Sequence, residues 1–267
     1  MKNRMMSVAG SFYPAKADDI EKMIERFNAI LESHHDALQH YNTLHGNAFI
    51  VPHAGWVYSG FTANIAYRIL STQNFKTVVV IGPSHRVGFE GVSIADLERY
   101  QTPLGELAID TLLVKELVER FTIPYFPDAH HEHSTEVQMP LIKHYCSDVN
   151  IVELVYSNTQ PESVEPIISF CLNRRDTAVI ISTDLSHYYS QSEAKRHDAI
   201  CLDAIQTINL SEIHQGCEAC GMIGVEAMLM VAKSNHLQST ILDYRTSADA
   251  SGDTSRVVGY VSALFSF

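Results

Sequence analysis

Apolar side chains recur at three- and four-residue intervals from Asp18 to about Ser33 (Ile20, Met23, Ile24, Phe27, Ile30, Leu31), the spacing that lines one face of an α-helix. The pattern then changes. Ala48–Val51, Thr77–Ile81, Ile151–Val155 and Ala178–Ile181 are short, nearly unbroken apolar runs rich in β-branched residues, as expected of strands covered on both faces. Between them the helical period returns, over Asn64–Leu70, Ile109–Arg120, Val137–Tyr145, Val164–Asn173, Glu193–Thr207 and Val225–Ala232. Strands alternating with helices predict an α/β layered fold with a largely parallel sheet. Thr240–Asp243 and Val257–Phe267 predict a closing strand pair across the polar turn SADASGDTS. No repeat, low-complexity segment or linker interrupts the 267 residues, so one domain over 1–267 is expected.

Composition narrows the function classes. No stretch of about 18 consecutive apolar residues is present to span a bilayer, and MKNRMMSVAGSFYPA lacks the apolar core of a secretion signal. A cytoplasmic protein without a membrane partner is expected. The net charge of -12, with no basic cluster beyond Arg174-Arg175, speaks against nucleic acid. A small-molecule ligand or substrate is the expected partner, with another protein as the alternative. Five cysteines, an odd number in a chain of this size, predict reduced thiols rather than a disulfide framework. Cys217 and Cys220 form a lone CxxC, a weak zinc or redox signal, read as structural thiols at a helix start.

Histidine is the anomaly, with 14 against 19 Lys plus Arg. His34, His35, His40 and His45 lie in a polar stretch and read as solvated, as do His130 and His131. Others sit where chemistry is expected. AFIVPHAGW places His53 just past one buried strand, VVVIGPSH places His85 past a second, and AVIISTDLSHY places Asp184 and His187 past a third. Loops leaving the carboxyl ends of separate strands meet in the crevice where open α/β sheets bind ligands. Histidines far apart in sequence thereby become candidate neighbours. Neutral imidazole ligates Fe, Zn, Cu and Ni, and near its own pKa it moves protons. The EHSTE core of DAHHEHSTEVQMP is suited to cap a helix while turning His133 into the same crevice. For Asp184 a turn or N-cap role competes with a catalytic one.

These segments resemble a known family. SVAGSFYPA, VPHAGWVYSG, IGPSHR, EHSTEVQMP, STDLSHY, the Cys220-Gly221 pair and SRVVGYVSALF are similar, in order, to the blocks of the MEMO family, across nearly the whole chain. That family is similar in fold to the class III extradiol ring-cleavage dioxygenases, whose LigB-like subunit holds non-haem iron through two histidines and a carboxylate. The resemblance implies a three-layer α/β/α domain with a mostly parallel or mixed sheet. It puts His53 and His85 in the metal-binding positions and His187 in the position of the acid/base histidine, with Asp184 or His133 behind it.

Some members carry a cysteine shortly before the last strand. Here SADASGDTSR has none, and Asp249 is the expected replacement, Asp253 the second choice. Two histidines and Asp249 would suit Fe(II) or Zn, with Cu as a further candidate, whereas a thiolate would favour Cu(I) or Zn. Three functions are compatible with such a pocket: a dioxygenase-like oxidoreductase, a non-catalytic module binding a metal or ligand and a protein, and a metal-assisted hydrolase.

Overall fold

The computed structural model describes residues 2–267. Its strands are β1 (Asn3–Arg4), β2 (Ala48–Val51), β3 (Thr77–Pro83), β4 (Val92–Ile94), β5 (Arg99–Thr102), β6 (Gly105–Ile109), β7 (Asn150–Tyr156), β8 (Thr177–Ser182), β9 (His187–Tyr189), β10 (Gln238–Thr246) and β11 (Val257–Ser266). The helices are α1 (Ala17–Glu32), α2 (His35–Tyr41), α3 (Trp56–Ser71), α4 (Thr111–Phe121), α5 (His133–Glu136), α6 (Met139–Tyr145), α7 (Pro161–Leu172), α8 (Gln191–Thr207), α9 (Leu210–Ile213), α10 (Met222–Ser234) and α11 (Ala248–Ser251).

The strands form one sheet in the order β1-β5-β6-β7-β3-β8-β2-β11-β10, with β4 on β7 and β9 on β11. Its middle, β6-β7-β3-β8-β2, is parallel. Antiparallel pairs flank it, β5 with β6 on one side and β2-β11-β10 on the other. Every residue of β2, β3 and β8 is buried: α3, backed by α1, packs on β2, β10 and β11, while α7 and α10 pack on β8 and α8 on β10 and β11. The apolar runs and the closing strand pair are therefore where the periodicity puts them, and the sheet is mixed.

Several edges differ from the sequence reading. The helical pattern read from Ile109 starts two residues later: Ile109 ends β6, and the helix starts at Thr111, where Asp110 accepts a hydrogen bond from the Leu113 backbone N–H. The 3.6-residue period begins late there because β6 lies near an edge and alternates between buried and exposed residues. The polar stretch after α1 contains the short helix α2, which buries no residue; His34, His35, His40 and His45 are exposed, as expected.

The cysteine reading needs correction. Cys201 of α8 and Cys217 in the loop before α10 form a disulfide, so Cys217 is not paired with Cys220, which is free. The loop folds back on α8 and brings the two Cα atoms to 4.8 Å, a proximity that an odd cysteine count does not reveal. A bridge closing a loop of 16 residues is worth about 3 kcal/mol through the entropy it removes from the unfolded chain. Changing both Cys201 and Cys217 to Ser should lower the unfolding free energy by roughly that amount in urea denaturation; an unchanged midpoint would show that the bridge does not form in solution.

Candidate metal centre

Strands β3, β8 and β2 are parallel neighbours, so their chains leave the sheet on one edge, and each places a polar side chain there two residues later: His85, Asp184 and His53. A fourth piece, the start of α5, is pressed against β3. A Cβ on Gly82 would lie 2.6 Å from Ser134 Oγ, so only glycine admits this approach. His133 at the head of α5 thereby reaches the same edge. The His53 and His85 rings are centred 5.1 Å apart, with His133 5.4 Å from the first and 4.5 Å from the second.

The buried His53 is held on three sides. Its backbone N–H donates to Asp184 Oδ1 at 2.7 Å, its Nδ1 lies 3.0 Å from Ser182 Oγ, and its Nε2 lies 3.2 Å from Cys220 Sγ. Burial, reinforced by His85 and His133 nearby, pushes its pKa well below the usual histidine range, so the ring is neutral at physiological pH.

His85 is gripped by Glu132, which accepts its backbone N–H at 2.7 Å and faces its Nδ1 at 3.1 Å. Glu132 also caps α5, accepting from the His133 and Ser134 backbone N–H groups. His133 Nδ1 approaches Glu132 Oε1 to 2.8 Å but off the line a hydrogen bond requires. Burial alone would raise the Glu132 pKa; the close His133 ring and the hydrogen bonds from His85 instead hold it well below the usual carboxylate range. An ionised carboxylate only accepts. His85 Nδ1 must therefore carry the proton, which leaves the Nε2 lone pair free.

Cys220 completes the edge. Its backbone N–H donates to the Asp184 carbonyl at 3.1 Å, and its Sγ accepts from the Asp184 N–H at 3.3 Å. The turn closes because residue 221 is glycine: a Cβ there would sit 2.7 Å from Thr183 Cβ and 2.8 Å from the Ser182 carbonyl oxygen. Burial, with Asp184 adding to it, pushes the thiol up to about 12. Burial also raises the Asp184 carboxyl, against the His53 backbone N–H and the nearby His187.

Among the described residues two groups could hold a cation, each with donor atoms within 4.8 Å of one another: His53, His85 and Cys220, and His85, Glu132 and His133. In the second, His85 Nδ1 already donates to ionised Glu132, whereas His133 Nδ1 has no hydrogen-bond partner. In the first, two imidazole nitrogens and one sulfur lie within 4.8 Å of one another. Asp249, the expected third ligand, is in neither group; its Oδ2 accepts from Thr246 N–H at 2.8 Å and Thr246 Oγ1 at 3.2 Å. Asp253 is engaged with Ser255.

His187 lies half-buried on β9 beside Val258 of β11, near enough to bear electrostatically on both His53 and Asp184. His130, read as solvated, is 1% exposed. Its Nδ1 is 2.9 Å from Glu153 Oε2 and its Nε2 2.8 Å from Ser93 Oγ, so it anchors the segment that carries Glu132 and His133. Sequence reasoning missed Cys220, although it stands in one of the family blocks, and Glu132, whose only local signal was its place before a capping sequence.

A family model described as Memo-like protein matches residues 4–264. The chain belongs to the Memo family. Its relatives include the "MEMO1 family protein" of Sulfurisphaera tokodaii, 33% identical over 280 residues, covering 98% of this chain and 99% of that one. Another is the protein of the same description in Archaeoglobus fulgidus, 30% identical over 269 residues, with 97% of each chain covered. Among solved structures, an uncharacterized protein of Escherichia coli K12 superposes with a TM-score of 0.52 at 12% identity, over 82% of this chain and 100% of that one. That likeness concerns the fold alone. Among the described residues of this Memo-family chain, no helix is long and apolar enough to cross a membrane.

Proposed function

We propose that this Memo-family protein binds one transition-metal ion through His53, His85 and Cys220 at the open edge of its sheet, where the ion takes a small-molecule ligand. The carrying observation is the meeting of those three side chains from distant points of the chain, donor atoms within 4.8 Å, with each histidine Nδ1 backed by a polar group, Ser182 or Glu132. Metal-ligating histidines almost always have such support. A donor set of two nitrogens and a thiolate favours Zn or Cu(I) over Fe(II), which suits two histidines and a carboxylate. The pocket therefore favours metal holding or Lewis-acid chemistry over the dioxygen chemistry of the dioxygenase-like reading.

When bound, such an ion polarises a ligand oxygen or lowers the pKa of water. The chain's own groups supply the rest. The His85 side chain is 30% exposed, which gives a ligand its way in. Asp184, its pKa raised by burial and its Oδ2 3.9 Å from His53 Nε2, stands at the inner wall. His187, half-buried, is the group through which a proton passes to solvent. As for compartment, a persistent Cys201–Cys217 bridge belongs to an oxidising environment and weighs against the cytoplasmic expectation.

Metal analysis after loading with zinc tests the reading. Wild-type protein should retain about one equivalent, as a single three-ligand site requires; Cys220→Ser and the His53→Ala/His85→Ala double variant should lose it, and Asp249→Asn should keep it. Retention in Cys220→Ser together with loss in Asp249→Asn would replace this site by a histidine–carboxylate one.

A further inference from the structure

The His53 ring can carry its single proton on either nitrogen, and in water a free imidazole side chain prefers Nε2, where a metal would have to bind. Which nitrogen is protonated in a protein depends on the hydrogen bond the other makes. We infer that Ser182, oriented by Gln138 and Tyr67, is a positioning residue that fixes His53 as the Nδ1–H tautomer and leaves its Nε2 lone pair facing Cys220.

The assignment follows from counting protons along one buried chain of contacts. Pro52 O, 2.9 Å from Gln138 Nε2, is a carbonyl and only accepts, so the Gln138 amide is oriented with its NH2 toward it. The opposite end agrees: Gln138 Oε1 accepts from Tyr67 Oη–H at 2.9 Å. The second Gln138 N–H then donates to Ser182 Oγ at 3.0 Å. Ser182 has one proton of its own, and it goes to the carbonyl of Ser134 at 2.5 Å, which again can only accept. When His53 Nδ1 meets Ser182 Oγ at 3.0 Å, that oxygen has no proton left to give. His53 Nδ1 must donate.

Gln138, Ser134 and Ser182 are fully buried, and Tyr67 and His53 nearly so. No solvent competes for these bonds, and an alternative tautomer would set a bare nitrogen against a bare oxygen at that distance, at the cost of an unsatisfied buried polar pair. Nothing in this chain of contacts requires a metal. It orders the ring beforehand, as ionised Glu132 does for His85, so both imidazoles present Nε2 and neither has to shed or move a proton when an ion arrives. The consequence for affinity rests on the proposed metal site; the tautomer itself does not.

Long-range proton–nitrogen NMR of uniformly 15N-labelled, chelator-stripped protein reads the tautomer directly. His53 should show a protonated Nδ1 and a bare Nε2. In Ser182→Ala the Nε2–H form should appear, and zinc affinity, measured by competition with a chromophoric chelator, should fall by about 10–100-fold, the usual cost of losing such a supporting contact; Ser182→Thr, which restores the hydroxyl, should recover both. Wild-type His53 found as Nε2–H overturns the inference, with no variant required. So does a folded Ser182→Ala protein with unchanged tautomer and zinc affinity. Wild-type protein that shows the Nδ1–H tautomer yet takes up no zinc supports the inference and removes the metal reading instead.

Discussion

Replacing Glu136 by Ala should lower the unfolding free energy by about 3–5 kcal/mol, the usual consequence of removing one partner of a buried ion pair. Glu136 is completely buried and lies 2.9 Å from the Arg4 guanidinium, which is 3% exposed. It also accepts from the backbone N–H groups of Ser7 and Val8, each at 2.8 Å, and from Tyr13 Oη–H at 2.8 Å. Alanine would remove the carboxylate that pairs directly with buried Arg4, leaving only the more distant Glu153 to offset its charge, and would leave several donors without an acceptor. An Arg4→Met/Glu136→Met protein removes both charges and should lose less than Glu136→Ala, although Ser7 and Val8 still lack their acceptor. Urea denaturation of both proteins checks this. A loss below about 1 kcal/mol for Glu136→Ala, within the range of a single net hydrogen bond, would mean that water reaches Arg4 in the mutant. The effect should extend to the pocket, since Phe12, in the segment Glu136 ties down, stacks on His133 at 4.5 Å.

Zinc affinity should rise about tenfold per pH unit between pH 7 and 9, about a hundredfold in all, because one proton leaves for each ion bound. The sign follows from two of the proposed ligands, Cys220 and His53, whose Sγ and Nε2 lie 3.2 Å apart. Burial pushes the Cys220 thiol up to about 12, so it stays protonated throughout that window and must lose its proton to serve as a thiolate ligand. Burial pushes the neighbouring His53 well below the usual histidine range, so its ring is already neutral there and releases no proton when Nε2 binds. The expected pH dependence therefore comes from sulfur and not from His53. Isothermal titration in buffers of different ionisation enthalpy counts the proton. A flat affinity over the window, or an equal slope in Cys220→Ser, would show that the thiol takes no part.

Much of the fold was legible because its signals are local. The runs Ala48–Val51, Thr77–Ile81 and Ala178–Ile181 announce buried parallel strands by composition alone. The polar residues just beyond them, His53, His85 and Asp184, follow at the carboxyl ends, where α/β sheets open. The edges were less legible. Short strands such as β4 and β9, of three residues each, carry too few side chains to show a period.

The amino-acid sequence by itself determined which residues would stand at the sheet's open edge, since strand, turn and histidine lie within a few positions of one another. Only the tertiary structure decided which of them meet. Cys220 reaches His53 from 167 positions away because β8 lies between β3 and β2 and because Gly221 lets a later turn press against its end. Asp249 is held by Thr246 in its own turn, and His130, in a polar string that reads as solvated, is enclosed between Glu153 and Ser93. Local patterns record what a segment must bury or expose. Coordination and ion pairing depend on distances across the sheet, and those are set by strand order and close packing that no neighbouring residues encode.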